Sequence, residues 1–122
     1  MGEVLDKLSI LYIKQGTIDN AQALRYITEE IDSLDSTLRG ICLEKDIVQG
    51  YIKQLTAINR RMWKHIKLIQ DKIKNEEYDE IFINSSIMMQ KINDERFLLK
   101  NKINHRFGSK IKEVKEHIAG ER

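Results

Sequence analysis

Proline is absent from this chain, and glycine occurs only 6 times in 122 residues. Little therefore interrupts a long helix, because the two strongest helix breakers are missing or scarce. A single cysteine, Cys42, excludes an internal disulfide and fits a reducing compartment; its simplest role is a small buried thiol. Charge of one sign is also lacking. The 21 basic and 19 acidic residues leave a net charge of +2, without the strong basic bias of a general nucleic-acid binder. Charges interrupt every apolar stretch before it reaches the roughly 18 residues of a membrane span. No signal-peptide pattern opens the chain. The expectation is a soluble, cytoplasmic protein with neither membrane nor specific nucleic-acid partners. The familiar devices of catalysis are missing too: no Gly-rich phosphate loop, no nucleophile elbow, no Cys or His pair at metal spacing. His65, His105 and His117 lie far apart in sequence. No catalytic residue, metal or cofactor is expected from these patterns.

What is present is helical periodicity. With 41% hydrophobic and 33% charged residues, the chain reads as one globular domain over 1–122. Its expected class is all-α: an antiparallel helical bundle or hairpin with long third and fourth helices and a short C-terminal helix. Val4, Leu8, Leu11 and Tyr12 share one face of a first helix from Glu3 to Gln15, ended by Gly16. Asp19 and Gln22 approximate a capping box for a second helix. Leu24, Ile27, Ile31, Leu34 and Leu38 give that helix a strict heptad seam, with a break over Ser36 to Gly40. A third helix from Cys42 to Asn75 carries Val48, Ile52, Leu55, Met62, Ile66, Ile69 and Ile73. At about 1.5 Å per residue it would span about 50 Å, more than the roughly 27–35 Å width of a compact domain of this size. It must bend near Gly50 or project to pair with another chain. After a polar turn capped by Asp79, a fourth helix from Tyr78 ends at Gly108; Lys110 to Ile118 then form a short amphipathic helix or a strand-like tail, and Ala119 to Arg122 fray. The seam and the long third segment offer more apolar stripe than one chain needs, so a homodimer or higher homo-oligomer is expected.

The fourth helix carries the most informative residues. Met89, Ile92, Leu99 and Ile103 make an apolar stripe, and Asn93, Arg96 and Lys100 fall on the same side at i, i+3 and i+7. Polar groups beside a core must find partners, either other side chains or a ligand. The first helix adds Asp6, Lys7 and Lys14, the third adds Asn59 one turn before Trp63, and Asp94 adjoins Asn93. Short connections would let these helices flank one another, so that Lys7, Asn59, Arg96 and Lys100 converge. The alternative is a network in which Asp6 and Asp94 pair with Lys7, Arg96 and Lys100 to set the register of the bundle.

Three ordered elements resemble a family of small, functionally uncharacterised bacterial and phage proteins. They are the opening Glu3-Val4-Leu5-Asp6-Lys7-Leu8-Ser9-Ile10-Leu11-Tyr12-Ile13-Lys14, the run Ile58-Asn59-Arg60-Arg61-Met62-Trp63, and the closing residues Asn93-Asp94, Arg96, Leu99-Lys100, Ile103-Asn104 and Phe107-Gly108-Ser109. Between Gly16 and Gln54 the likeness is weak. Where the family has acidic residues after the tryptophan, this chain has Lys64, His65 and Lys67. The resemblance implies genomic context, near surface-polysaccharide genes or in phages, and no activity. It marks Asp6, Lys7, Asn59, Trp63, Asn93, Asp94, Arg96 and Lys100 as motif residues.

Three functions are compatible with these patterns. The first is a non-enzymatic protein that captures a small anionic molecule, a nucleotide or nucleotide sugar. Its cations would hold phosphates, its asparagines would read polar edges, and Trp63 or Tyr12 would stack on a base. In a phage such a protein would be a sponge for a host immune signalling nucleotide. The second is a structural or accessory protein of surface-polysaccharide biosynthesis. The third is a phosphodiesterase-like enzyme using Asp6 or Asp94.

Overall fold

A computed structural model describes residues 1–41 and 44–120, with side chains as far as Gly108. It is all-α: α1 (Gly2–Thr17), α2 (Ala21–Gly40), α3 (Lys45–Lys74) and α4 (Glu80–Gly120). Among the described residues no helix is long and apolar enough to cross a membrane. Cys42, the expected start of the third helix, lies outside the described residues, as do Glu121, Arg122 and the side chains of Ile111, Val114 and Ile118.

Local chemistry explains most of the boundaries. Gly16 does not end α1; the helix runs to Thr17 and the extended Ile18 stops it, with its N–H on the Lys14 carbonyl. The cap of α2 is Asn20 rather than Asp19. Its side-chain oxygen accepts from the backbone N–H of Gln22 and of Ala23, both at 3.0 Å. The expected break over Ser36 to Gly40 does not occur, since α2 continues to Gly40. The Thr37 hydroxyl donates to the Ser33 carbonyl at 3.1 Å, so the hydroxyl residues are accommodated within the helix. α3 ends at Lys74, and Glu76 turns the chain in the left-handed region with φ 54°. Asp79 accepts from the Phe82 N–H at 3.0 Å and opens α4. α4 does not stop at Gly108 to begin a separate short helix. No glycine there has a positive φ, and the helix continues to Gly120. Glycine permits a left-handed stop without imposing one, and helix-compatible residues follow it.

α1 is the centre of the packing. It lies against α2, α3 and α4; α3 lies against α4; α2 approaches α1 alone. Leu5, Leu8 and Leu11 of α1 meet Ile27 and Ile31 of α2, Val48, Ile52 and Leu55 of α3, and Ile103 and Phe107 of α4 in one core. Tyr51 meets Phe107 edge-on, with ring centroids 6.0 Å apart. The 30 residues of α3 form one helix of about 45 Å, and the 41 of α4 one of about 60 Å. Only part of each is covered by α1. The α3 stripe is buried from Val48 to Asn59, half-buried from Met62 to Ile69 and exposed at Ile73. The long helices thus leave the body as a two-helix arm.

Candidate functional site

Asp6 sits on the core face of α1, between Leu5 and Leu8, and is 3% exposed. A carboxylate removed from water needs partners to stay charged. Arg96 of α4 supplies them. Its Nε donates to both carboxylate oxygens, at 3.0 Å and 3.2 Å, and its Nη2 donates to Oδ2. Asn59 of α3 donates one amide hydrogen to Asp6 Oδ1 at 2.9 Å and the other to Ser9 Oγ at 2.8 Å. Ser9 in turn donates to the Asp6 carbonyl at 2.7 Å. Lys100, one turn beyond Arg96, has its ammonium 3.7 Å from Asp6 Oδ2 and also pairs with Glu3. Burial pushes the Asp6 carboxyl upward, but the hydrogen bonds from Arg96 and Asn59 and the charges of Arg96 and Lys100 outweigh it and hold the group below its ordinary 3.8. The Asp6 hydrogen bond raises Arg96 above its usual range. Two carboxylates face two cations, so the cluster balances its own charge.

The expected residues divide accordingly. Asp6, Asn59, Arg96 and Lys100 meet. Lys7 does not join them: it is exposed, because the next residue on a helix points about 100° away. Asn93 is exposed too. Asp94 is exposed and accepts from Gln90 at 3.2 Å instead of pairing with a cation of the cluster. Lys14 is half-buried near the far end of α1 and makes no ion pair with the cluster. Trp63 is half-buried, its indole N–H is buried without a hydrogen-bond partner among the described residues, and the Lys67 ammonium lies 5.9 Å from its ring centroid. Ser9 and Glu3 are members that sequence reasoning missed. Ser9 carried a usable signal, a hydroxyl inside the apolar run Leu8 to Ile13 and three residues after Asp6, hence on its face.

A cleft lies elsewhere, where α2 and α3 separate over α1. It encloses about 570 Å³ and is lined by Tyr12, Asp35, Leu38, Arg39, Lys45, Val48 and Gln49. The Tyr12 hydroxyl is 3.5 Å from Asp35 Oδ2, a long and weak contact. Burial first, then the Asp35 charge, raises the Tyr12 phenol above its ordinary value, so it stays a donor at neutral pH. The cleft combines an aromatic ring, aliphatic walls, two cations, an amide and a carboxylate. Of its residues only Tyr12 was marked from the sequence as a stacking group. Among the described residues no group of three or more His, Cys, Asp or Glu could hold a metal ion. No family model, no curated protein and no solved structure matches this chain.

Proposed function

We propose that this chain is a non-enzymatic binding protein that captures a small organic anion of the nucleotide or nucleotide-sugar type in the cleft beside Tyr12. The observation that carries the reading is the make-up of that cleft. Its volume of about 570 Å³ is within the range of small-molecule sites. Tyr12 offers a face for a base, Leu38 and Val48 an apolar wall, Arg39 and Lys45 charge for phosphate, and Gln49 and Asp35 partners for polar edges. The Asp6 cluster supports this reading from behind. Its cations are engaged by Asp6 and Glu3, bracing α1 against α4, and Asn59 ties α1 to α3 through Asp6 and Ser9. Binding without turnover amounts to sequestration, and the phage members of the resembled family supply a setting, capture of a host immune signalling nucleotide. The alternative is an accessory protein acting through helical surfaces, supported by the apolar arm.

Calorimetric titration of nucleotides and nucleotide sugars into wild type, Arg39→Ala, Lys45→Ala and Arg96→Ala tests the reading. A charge-assisted hydrogen bond contributes about 1.5–3 kcal/mol, so Arg39→Ala should weaken binding about tenfold or more with an unchanged melting temperature. A wild type that binds none of them refutes the capture reading and favours the accessory role. Binding lost in folded Arg96→Ala but kept in Arg39→Ala moves the ligand to the Asp6 cluster. A ligand recovered chemically altered would make the protein an enzyme.

A further inference from the structure

The face of α3 opposite its apolar stripe carries Lys53, Ala57, Arg60 and Lys64, all exposed, at i, i+4, i+7 and i+11. With Thr56 and Arg61 they line a shallow, open groove that shares no residue with the cleft beside Tyr12. The groups between the cations are small. Ala57 offers a methyl, and the Thr56 hydroxyl is spent on the Ile52 carbonyl at 2.7 Å. Arg61 is held by Glu95 of α4 at 2.8 Å. Lys53, Arg60 and Lys64 have no ion pair among the described residues, and no Asp or Glu stands three or four residues from any of them. Arg60 and Lys64 are one turn apart, and like charges at that spacing repel. α2 shows the ordinary arrangement, with Arg25 and Glu29 of opposite sign at the same spacing and 4.0 Å apart. Three uncompensated cations thus share one face in a chain whose net charge is only +2.

We infer that this groove binds a compact polyphosphate-type anion, one whose phosphate groups follow one another closely, at a second site independent of the cleft. Lys53 and Lys64 act as point charges and Arg60 as a fork on phosphate oxygens, and the anion relieves the repulsion among them. Recognition is by charge alone. The groove is lined by no aromatic ring for a base and by no amide or carboxylate for a sugar. Its length is also bounded. Lys53 and Lys64 are eleven residues apart, about 16 Å along the helix axis. Asp46 lies seven residues before Lys53 and Asp71 seven after Lys64, both exposed and on the same face. A long polyanion laid along α3 meets a carboxylate about two turns beyond each end cation, and is repelled there; a short one fits between the two acids.

Calorimetric titration of inorganic triphosphate into the full chain at low ionic strength tests this. Arg39→Ala with Lys45→Ala, which removes the cations of the cleft, should bind triphosphate at one site per chain. Adding Arg60→Gln with Lys64→Gln should weaken that binding about tenfold or more, as should added salt. Lys53→Gln, at the other end of the groove, should weaken it in the same direction. Glutamine keeps helix propensity and removes repulsion, so these variants should melt no lower than their parent. Orthophosphate, which cannot span the cations, should bind about tenfold more weakly than triphosphate. Parallel titrations use a single-stranded DNA oligonucleotide and vesicles of anionic lipid. Four results would each overturn the inference: no triphosphate bound once the cleft cations are removed, binding indifferent to Arg60→Gln with Lys64→Gln, orthophosphate bound as well as triphosphate, or DNA or vesicles bound more tightly. The first would leave the cleft as the chain's anion site, and the last would make the face a polymer or membrane surface. Nucleotide binding that depends on Arg39 bears on the cleft alone, so the two readings stand or fall separately.

Discussion

At the scale of residues, the most consequential atoms are the two oxygens of Asp6. Removing Arg96 leaves a buried carboxylate with Asn59 and a more distant Lys100, 3.7 Å away. Breaking one side of such a pair costs about 3 kcal/mol, so Arg96→Ala should lower Tm by about 10 °C or more, read from a thermal melt. The same pairing sets a pH dependence. The folded-state pKa of Asp6 is depressed below 3.8, so its contribution to stability is fully present at neutral pH. It fades as pH falls from about 3.8 through the lower folded value, where the carboxylate takes up its proton. Asp6→Asn should be less stable than wild type at pH 7, and the difference should shrink below pH 3.8 in parallel denaturant titrations. A difference that grows on acidification would contradict the pairing.

At the scale of elements, the helices begin and meet through particular backbone groups. Asn20 satisfies two of the free N–H groups of α2, and Asn20→Ala should cost about 1 kcal/mol, read from denaturant midpoints. Gly2 is a closer constraint. Its N–H donates to the Asn104 side chain at 2.6 Å, and a Cβ placed there would lie 2.7 Å from the Lys100 carbonyl oxygen. Backbone cannot yield as a side-chain tip can, so Gly2→Ala should push α1 off α4 and cost about 1–3 kcal/mol. Gly16 and Gly108 have nothing near such a Cβ. Alanine at either should be neutral or slightly stabilising, because both sit inside helices.

At the scale of the whole molecule, α1 covers only one part of a longer hairpin, and α2 packs on α1. The homo-oligomer expected from the sequence would be stabilised by mass action, so on that expectation Tm should rise with protein concentration. A Tm independent of concentration over the micromolar range would mean that the monomer is self-sufficient. The Asp6 network and the cleft lie at the covered part of the hairpin, with the network joining α1 to α3 and α4 and the cleft opening where α2 and α3 stand apart over α1. Loosening the network should therefore reach the cleft only through α1, on which Tyr12 and Asp6 both stand.

The all-α class, the seam of α2 and the stripe of α3 were readable from the sequence, because helical periodicity belongs to neighbouring residues and needs no knowledge of the rest of the chain. So was the importance of Asp6, Asn59, Arg96 and Lys100, since polar side chains at core spacing must be answered by something. Their partners were not readable. Asp6 and Arg96 are 90 residues apart, and Asn93, Arg96 and Lys100 compete on one face of α4. The point at which α1 crosses α4 gives the carboxylate to Arg96 and leaves Asn93 in solvent. Helix ends at Gly16 and Gly108 were misread for a related reason, since a glycine allows a stop and the neighbouring residues decide whether it is taken. The cleft was invisible because a void is a property of no residue: it exists where α2 and α3 both lean on α1 and fail to meet.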